Sequence, residues 1–214
     1  LKKINNNVYK DIEYKIASKN KNIEELNYSL KKFDDNRFTY LLFPYYPEGD
    51  ILDNIGNNFP ISENDAKKYT KNILKCISKL NEFGYVHLDI KLDNFLVSQQ
   101  KLVLTDFGSC NYIKHEIKMH PLYDKVGTEI YISPEVKNNF YHINSDSWSV
   151  GICMYHLLKG DVLYQNVNDY ILEESKINIF SDDANDLLNS FLVKHPLDRI
   201  SIVEAISHKW FENI

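Results

Sequence analysis

An acid, a base and an amide fall within six residues in the stretch Tyr85-Val86-His87-Leu88-Asp89-Ile90-Lys91-Leu92-Asp93-Asn94. Seventeen positions after Asp89 comes Asp106-Phe107-Gly108, a second carboxylate followed by an apolar anchor and a flexible residue. Two carboxylates and an amide converging on one cleft are what a magnesium and phosphate site requires. The metal takes hard oxygen ligands, and a further carboxylate stands beside the incoming hydroxyl.

Such groups act only if the backbone that carries them is held from both sides. Ser62 with Asp65 three residues later predicts a helix start, and Ala66, Tyr69, Ile73, Ile77 and Leu80 place an apolar stripe along one face up to Gly84. After the Asp89 loop, Asn94 to Val97 and Leu102 to Thr105 read as two short strands joined by polar Ser98 to Lys101, a hairpin. Upstream, Val8, Ile12 and Ile16 give helical spacing up to about Ser18. Phe38 to Phe43 alternates as a strand until Pro44 breaks it. Downstream the signals are helical, over Trp148 to Leu158, Ala184 to Val193 and Ile202 to Phe211. The expected fold is therefore α+β, with a small first lobe hinged near Pro44 to Pro47 and a mostly helical second lobe.

Composition sets the outer bounds. The 214 residues are 43% hydrophobic with a net charge of −5, enough apolar material for one globular unit or at most two lobes. No run of 18 apolar residues is present, and Leu1-Lys2-Lys3-Ile4 followed by three asparagines lacks the apolar core of a leader, so neither a membrane span nor secretion is expected. Cys76, Cys110 and Cys153 form neither a zinc spacing nor an even disulfide framework, which predicts a reducing, cytoplasmic compartment. An acidic balance without a Lys/Arg block argues against a nucleic-acid binder but leaves a nucleotide open. Seven glycines are spread so widely that no G-x-G-x-x-G loop exists.

Taken in order, these motifs resemble a eukaryotic protein kinase domain. His87-x-Asp89-x-Lys91-x-x-Asn94 is similar to the catalytic loop, and Asp106-Phe107-Gly108 to the metal-binding motif. Gly127-Thr128 and Ser133-Pro134-Glu135, with Ser for the usual Ala, resemble the end of an activation segment. Asp146-Ser147-Trp148-Ser149-x-Gly151 resembles the buried helix, and His195-Pro196-x-x-Arg199 with Ser207-His208-x-Trp210-Phe211 the closing helices. The resemblance implies a two-lobe fold with an incomplete first sheet, residues 1–46 supplying strand 3, helix C, strands 4 and 5 and the hinge, and residues 47–214 the helical lobe. It further implies ATP and Mg²⁺ as cofactors and protein hydroxyls as acceptors. Asp89 would take the substrate proton, and Lys91 would neutralise the transferred group and mark a Ser/Thr rather than a Tyr kinase. Asn94 and Asp106 would hold the metal, and Thr128 would steady the loop between Asp89 and Lys91. Phe43 matches the gatekeeper, Pro44, Tyr45 and Tyr46 would offer backbone groups to adenine, Asp50 would reach the ribose, and Leu96 would floor the base. His87 and Phe107 read as core residues, Asp146 as a tie beneath the catalytic loop, and Glu135 with Arg199 as a buried pair.

The same comparison exposes departures. Leu88 stands where most kinases carry arginine, making this a non-RD sequence, and between Cys110 and Val126 the only side-chain hydroxyls are Tyr112 and Tyr123. Activity independent of activation-loop phosphorylation is the expectation. Lys2 resembles the strand lysine that grips the α- and β-phosphates, with Glu13 as its helix partner. The other reading of Lys2, a solvated surface lysine, stays open. With no glycine-rich loop and Leu1 at its start, the chain is expected to be a truncated Ser/Thr kinase. A pseudokinase acting as a binding or scaffold module is the alternative.

Overall fold

The computed structural model describes residues 1–6, 11–113, 118–163 and 177–212, so the Val8 end of the first expected helix lies outside the described residues. Three strands, β1 (Lys2–Asn5), β2 (Lys31–Asp34) and β3 (Phe38–Leu42), form one antiparallel sheet in the order β1-β3-β2. The register pairs Lys2 with Leu41 on one side of β3 and Lys32 with Leu41 on the other. Alternation along β3 buries Thr39 and Leu41 and leaves Phe38, Tyr40 and Leu42 half covered, as a one-sided sheet requires. Helix α1 (Ile12–Ala17) lays Glu13, Ile16 and Ala17 inward beneath this sheet.

The remainder is mainly helical. Helix α2 (Ile51–Ile55) begins at a capping box between Asp50 and Asp53. The long α3 (Glu63–Glu82) starts where Ser62 accepts the Asp65 N–H at 3.1 Å, and it buries Ala66, Ile73, Leu74, Ile77 and Leu80. Tyr69, which the periodicity assigns to the same stripe, sits at its edge and donates its hydroxyl to Asn54 Oδ1 at 2.8 Å. A short pair, β4 (Tyr85–Val86) with β7 (Asn111–Tyr112), and the hairpin β5 (Phe95–Ser98) with β6 (Lys101–Leu104) bracket the two motif loops. A last pair, β8 (His120–Pro121) with β9 (Phe140–Tyr141), flanks α4 (Pro134–Lys137).

Helix α5 (Ser145–Lys159) is buried on almost every face from Ser145 to Met154, so it is the central post around which α3 and α6 (Asp182–Phe191) pack. Gly151 lets α6 approach this closely, since a Cβ there would stand 2.8 Å from that of Phe191. The expected helix over Ile202 to Phe211 is interrupted. Helix α7 (Ile202–Ile206) stops, and His208 turns out of helical conformation to accept the Trp210 N–H on Nδ1 at 3.2 Å, opening a separate 3-10 turn over Lys209–Phe211. The break drives Trp210 and Phe211 into the core, where the Trp210 indole donates to Glu63 Oε1 at 2.9 Å.

Glu135 on α4 and Arg199 tie the far end of this body together. Both are buried, and the guanidinium donates to the two carboxylate oxygens at 2.7 and 3.0 Å while also reaching the carbonyls of Asn144, Val193 and Lys194. Burial pushes the Glu135 carboxyl up, but the Arg199 fork outweighs it and holds the group below its ordinary value of 4.5. A carboxyl depressed by folding stabilises fully above its unfolded value, and that stability is lost as pH falls through the folded value. Two outcomes follow. Arg199→Ala, which leaves a buried carboxylate unpaired, should cost about 4 kcal/mol in urea unfolding. Glu135→Gln should flatten the wild type's loss of stability below pH 4.5, read from urea midpoints across pH.

Candidate active site

The loop between β4 and β5 is held by α5 from below. Asp146, fully buried, accepts the His87 N–H on Oδ2 at 2.7 Å and the Leu88 N–H on Oδ1 at 2.8 Å. These bonds fix Leu88 at φ 65°, a left-handed conformation that a branched, non-glycine residue adopts only when its surroundings impose it. Burial raises the Asp146 carboxyl above its ordinary value and outweighs the two N–H donors. The His87 ring adds a second brace, with Nδ1 accepting the Asp89 N–H at 3.3 Å and Nε2 lying 3.1 Å from the Thr105 carbonyl. That pairing requires a neutral ring protonated on Nε2. His87 and Phe107 meet edge to face with centroids 6.0 Å apart, both fully buried, so they belong to the core.

From this braced turn Asp89 faces outward. Its Oδ1 accepts the Thr128 hydroxyl at 2.8 Å, its backbone carbonyl accepts Asn94 Nδ2 at 2.7 Å, and Lys91 Nζ stands 3.9 Å from Oδ2. Thr128 is brought to this place by Gly127, whose φ of +82° and contact with the loop exclude a side chain. A Cβ there would lie 2.6 Å from the Leu88 carbonyl oxygen.

Across the cleft, Lys2 at the start of β1 is not a solvated lysine. Its Nζ donates to both oxygens of Glu13 at 2.8 and 2.9 Å and to Asp106 Oδ1 at 2.7 Å. Asp106 itself is left-handed at φ 62°, a conformation aspartate tolerates, and also accepts the Gly108 N–H at 3.4 Å. Burial lowers the Lys2 ammonium, but Glu13 and Asp106 together outweigh it and leave it raised, hence charged at neutral pH. For Asp106 burial is likewise outweighed, by Lys2 and the Gly108 N–H, and the carboxyl stays below its ordinary value. For Glu13 burial wins and the carboxyl is raised. One ammonium thus serves two carboxylates.

Lys2, Glu13, Phe43, Asn94, Leu96 and Asp106 line a common cleft of about 310 Å³. Thr105 and Asn27 line it too, joined by a 3.1 Å hydrogen bond. Thr105 adjoins a recognised motif, but Asn27 is distant in sequence from every motif and carries no local signal. Tyr45, Tyr46 and Asp50 lie outside this lining. Tyr45 is exposed, Tyr46 faces a separate depression with Tyr28 and Lys21, and Asp50 Oδ1 accepts the Asp53 N–H at 2.9 Å as the cap of α2.

The donor set fits magnesium in one particular way. Among the described residues no group of three or more His, Cys, Asp or Glu side chains is placed to hold a metal ion. Asp106 and the amide oxygen of Asn94 offer two hard oxygens on one wall, the number Mg²⁺ takes from a protein when phosphates and water complete its shell. The Asn94 amide nitrogen is committed to Asp89, so its oxygen is the atom left to coordinate.

Comparison with known proteins identifies the family. A model of the protein kinase domain matches residues 1–211. The chain is 31% identical over 196 residues to calcium-dependent protein kinase 4 of Plasmodium falciparum, covering 84% of this chain and 37% of that protein. It is 30% identical over 202 residues to serine/threonine-protein kinase PKH1 of Saccharomyces cerevisiae, covering 85% and 26%. With Rho-associated protein kinase let-502 of Caenorhabditis briggsae it shares 31% over 205 residues, covering 85% and 17%. The chain therefore spans well under half the length of each of these relatives. If Asp146 is the brace described, Asp146→Ala, which orphans two buried N–H groups, should cost about 3 kcal/mol in chemical denaturation, and Asp146→Asn, keeping one acceptor, about half as much.

Proposed function

The chain belongs to the protein kinase domain family, and from that premise we propose that it transfers the γ-phosphoryl group of ATP to serine and threonine hydroxyls of protein substrates. The observation that carries this reading is that Lys2, Asp106 and Asn94 line one cleft, Lys2 donating to Asp106 at 2.7 Å, and that Asn94 ties the Asp89 backbone to it by donating to its carbonyl at 2.7 Å. Lys2, kept charged and aimed by Glu13, is placed to meet the α- and β-phosphates, with Phe43 and Leu96 as apolar walls for the base. Asp106 and Asn94 are the residues that would hold Mg²⁺, which when bound neutralises phosphate charge.

The remaining work falls to the loop. Asp89, oriented by Thr128 and by its braced backbone, receives the acceptor hydroxyl proton as that oxygen bonds to the γ-phosphorus. The bond from phosphorus to the β–γ bridging oxygen breaks, and ADP leaves with the electron pair. Lys91, beside Asp89 at 3.9 Å, supplies positive charge where the transferred group passes.

Leu88 bears on regulation. Its side chain is buried in a second apolar cluster with Val86, Ile113, Leu122, Val136 and Tyr141, which seats the segment after Asp106 against the loop. Arginine at that position in related kinases awaits a phosphate on this segment, whereas an apolar seat needs none. This supports a non-RD enzyme active without such a phosphate.

Thermal unfolding with and without millimolar Mg·ATP tests the nucleotide site, because a ligand at about 100 times its Kd stabilises by roughly 2.7 kcal/mol. The shift should require magnesium and vanish in Asp106→Asn. Asp89→Asn should keep the shift and lose phosphotransfer by at least about a hundredfold. A shift without transfer in the wild type would overturn the catalytic reading in favour of a binding module. The Tyr112→Phe/Tyr123→Phe double variant should phosphorylate substrate within about threefold of wild type; loss of activity would contradict the apolar seat.

A further inference from the structure

Asp106 stands at φ 62°, a left-handed conformation that aspartate tolerates at some cost and keeps only where its neighbours hold it. The residue before it, Thr105, is tied at three points. Its N–H donates to the Asn94 carbonyl at 2.9 Å, its carbonyl lies 3.1 Å from His87 Nε2, and its hydroxyl oxygen accepts Asn27 Nδ2 at 3.1 Å. Two of these ties come from the loop that carries Asp89.

The third comes from the connection between α1 and β2, which is itself fixed. The Ser29 N–H donates to the Ala17 carbonyl at 3.0 Å at the end of α1, the Leu104 N–H to the Glu25 carbonyl at 2.9 Å, and the Asn27 N–H to the Leu104 carbonyl at 2.8 Å. Asn27 Oδ1 accepts the Tyr28 N–H at 2.9 Å, so the buried side chain turns its amide nitrogen to Thr105. Helix α1 thus reaches Asp106 along two routes. One is ionic, from Glu13 through Lys2, and the other is neutral, from Asn27 through Thr105.

We propose that Asn27 is a positioning residue: acting through Thr105, it holds Asp106 in its left-handed conformation at a fixed separation from Asn94, and so shapes the oxygen pair that would receive magnesium. The magnesium half rests on the phosphotransfer reading. The hold on Asp106 belongs to the chain alone and is measured without any ligand.

Amide hydrogen exchange of the ligand-free full chain, followed residue by residue by NMR, tests the hold. Thr105→Val keeps the shape and removes the oxygen, Thr105→Ser keeps the oxygen, and Asn27→Leu removes the donor. In Thr105→Val and Asn27→Leu the Gly108 N–H, which donates to Asp106 Oδ1, should exchange about fivefold faster, while the Leu104 N–H and the amides of α3 stay within about twofold of wild type. Thr105→Ser should match the wild type, and Asn27→Leu/Thr105→Val should exchange no faster than Thr105→Val alone. Unchanged Gly108 exchange, a serine variant as fast as the valine variant, or protection lost equally in α3 would overturn the proposal. Should Asn27→Leu fail to fold, the valine and serine variants decide it. Thermal unfolding with ADP across magnesium concentrations then reads the metal. Thr105→Val should need about fivefold more magnesium for half of the upward shift, and an unchanged requirement would overturn the magnesium half. No magnesium-dependent shift in the wild type, with the exchange pattern as expected, would overturn the phosphotransfer reading and leave the hold of Asn27 on Asp106 standing.

Discussion

The carboxylate of Asp146 is the constraint on which the rest of the site depends. It lies in the middle of the protein, on a helix with almost no exposed face, and spends both oxygens on two successive backbone N–H groups. Burying a carboxylate is costly unless such donors meet it, and here meeting them forces the chain through a left-handed turn at Leu88. That turn sends the Leu88 side chain into one apolar cluster and the Asp89 carboxylate toward the opposite side, where Thr128 takes hold of it. A group set wholly inside the protein therefore decides where the Asp89 carboxylate stands. The burial of α5 by α3 and α6 holds that helix, and Asp146 with it, in place.

The cleft around Lys2 is organised by a shortage of positive charge. Lys2 is shared between Glu13 and Asp106, so the pair of carboxylates retains one uncompensated negative charge. The Glu13 carboxylate is buried, so charge there is weakly screened. On the proposed reading a magnesium ion held by Asp106 and Asn94 would meet that charge, with phosphates and water completing its shell.

Much of this was legible in the sequence because the chemistry is carried by short, fixed spacings. His87 to Asn94 and Asp106 to Gly108 declare their residue types locally, and α3 declares itself through a 3.6-residue period and its Ser62 cap. The residues that escaped notice lack those marks. Strand β2 reads Lys-Lys-Phe-Asp, four mostly exposed residues at a sheet edge with a single apolar side chain, so no alternation identifies it. Asn27 enters the cleft only because the chain around Leu26 bridges to Leu104, a pairing across 78 positions that no window detects. The break before Trp210 also hides from periodicity, because His208 can continue a helix or cap a new turn and the choice is made by burying Trp210 against Glu63.

Leu88 holds the segment after Asp106 by apolar packing, which differs in physical kind from a charge receptor. A charge receptor makes the position of a segment conditional, because an unpaired arginine beside the loop gains nothing until an anion arrives. Leu88, Ile113, Leu122, Val136 and Tyr141 instead exclude water from one another whenever the chain is folded, and the Tyr141 hydroxyl adds a bond to the Tyr112 carbonyl at 3.0 Å. Adding or removing a phosphate on the surface of such a cluster leaves its buried area unchanged. The seat of this segment on the Asp89 loop then persists as a consequence of folding itself. The sheet side differs, because Lys2 and Glu13 depend on a three-stranded sheet and a helix of six residues. Among the described residues that side has the fewest to hold its geometry, and a shift of α1 relative to β1 would separate Lys2 from Glu13.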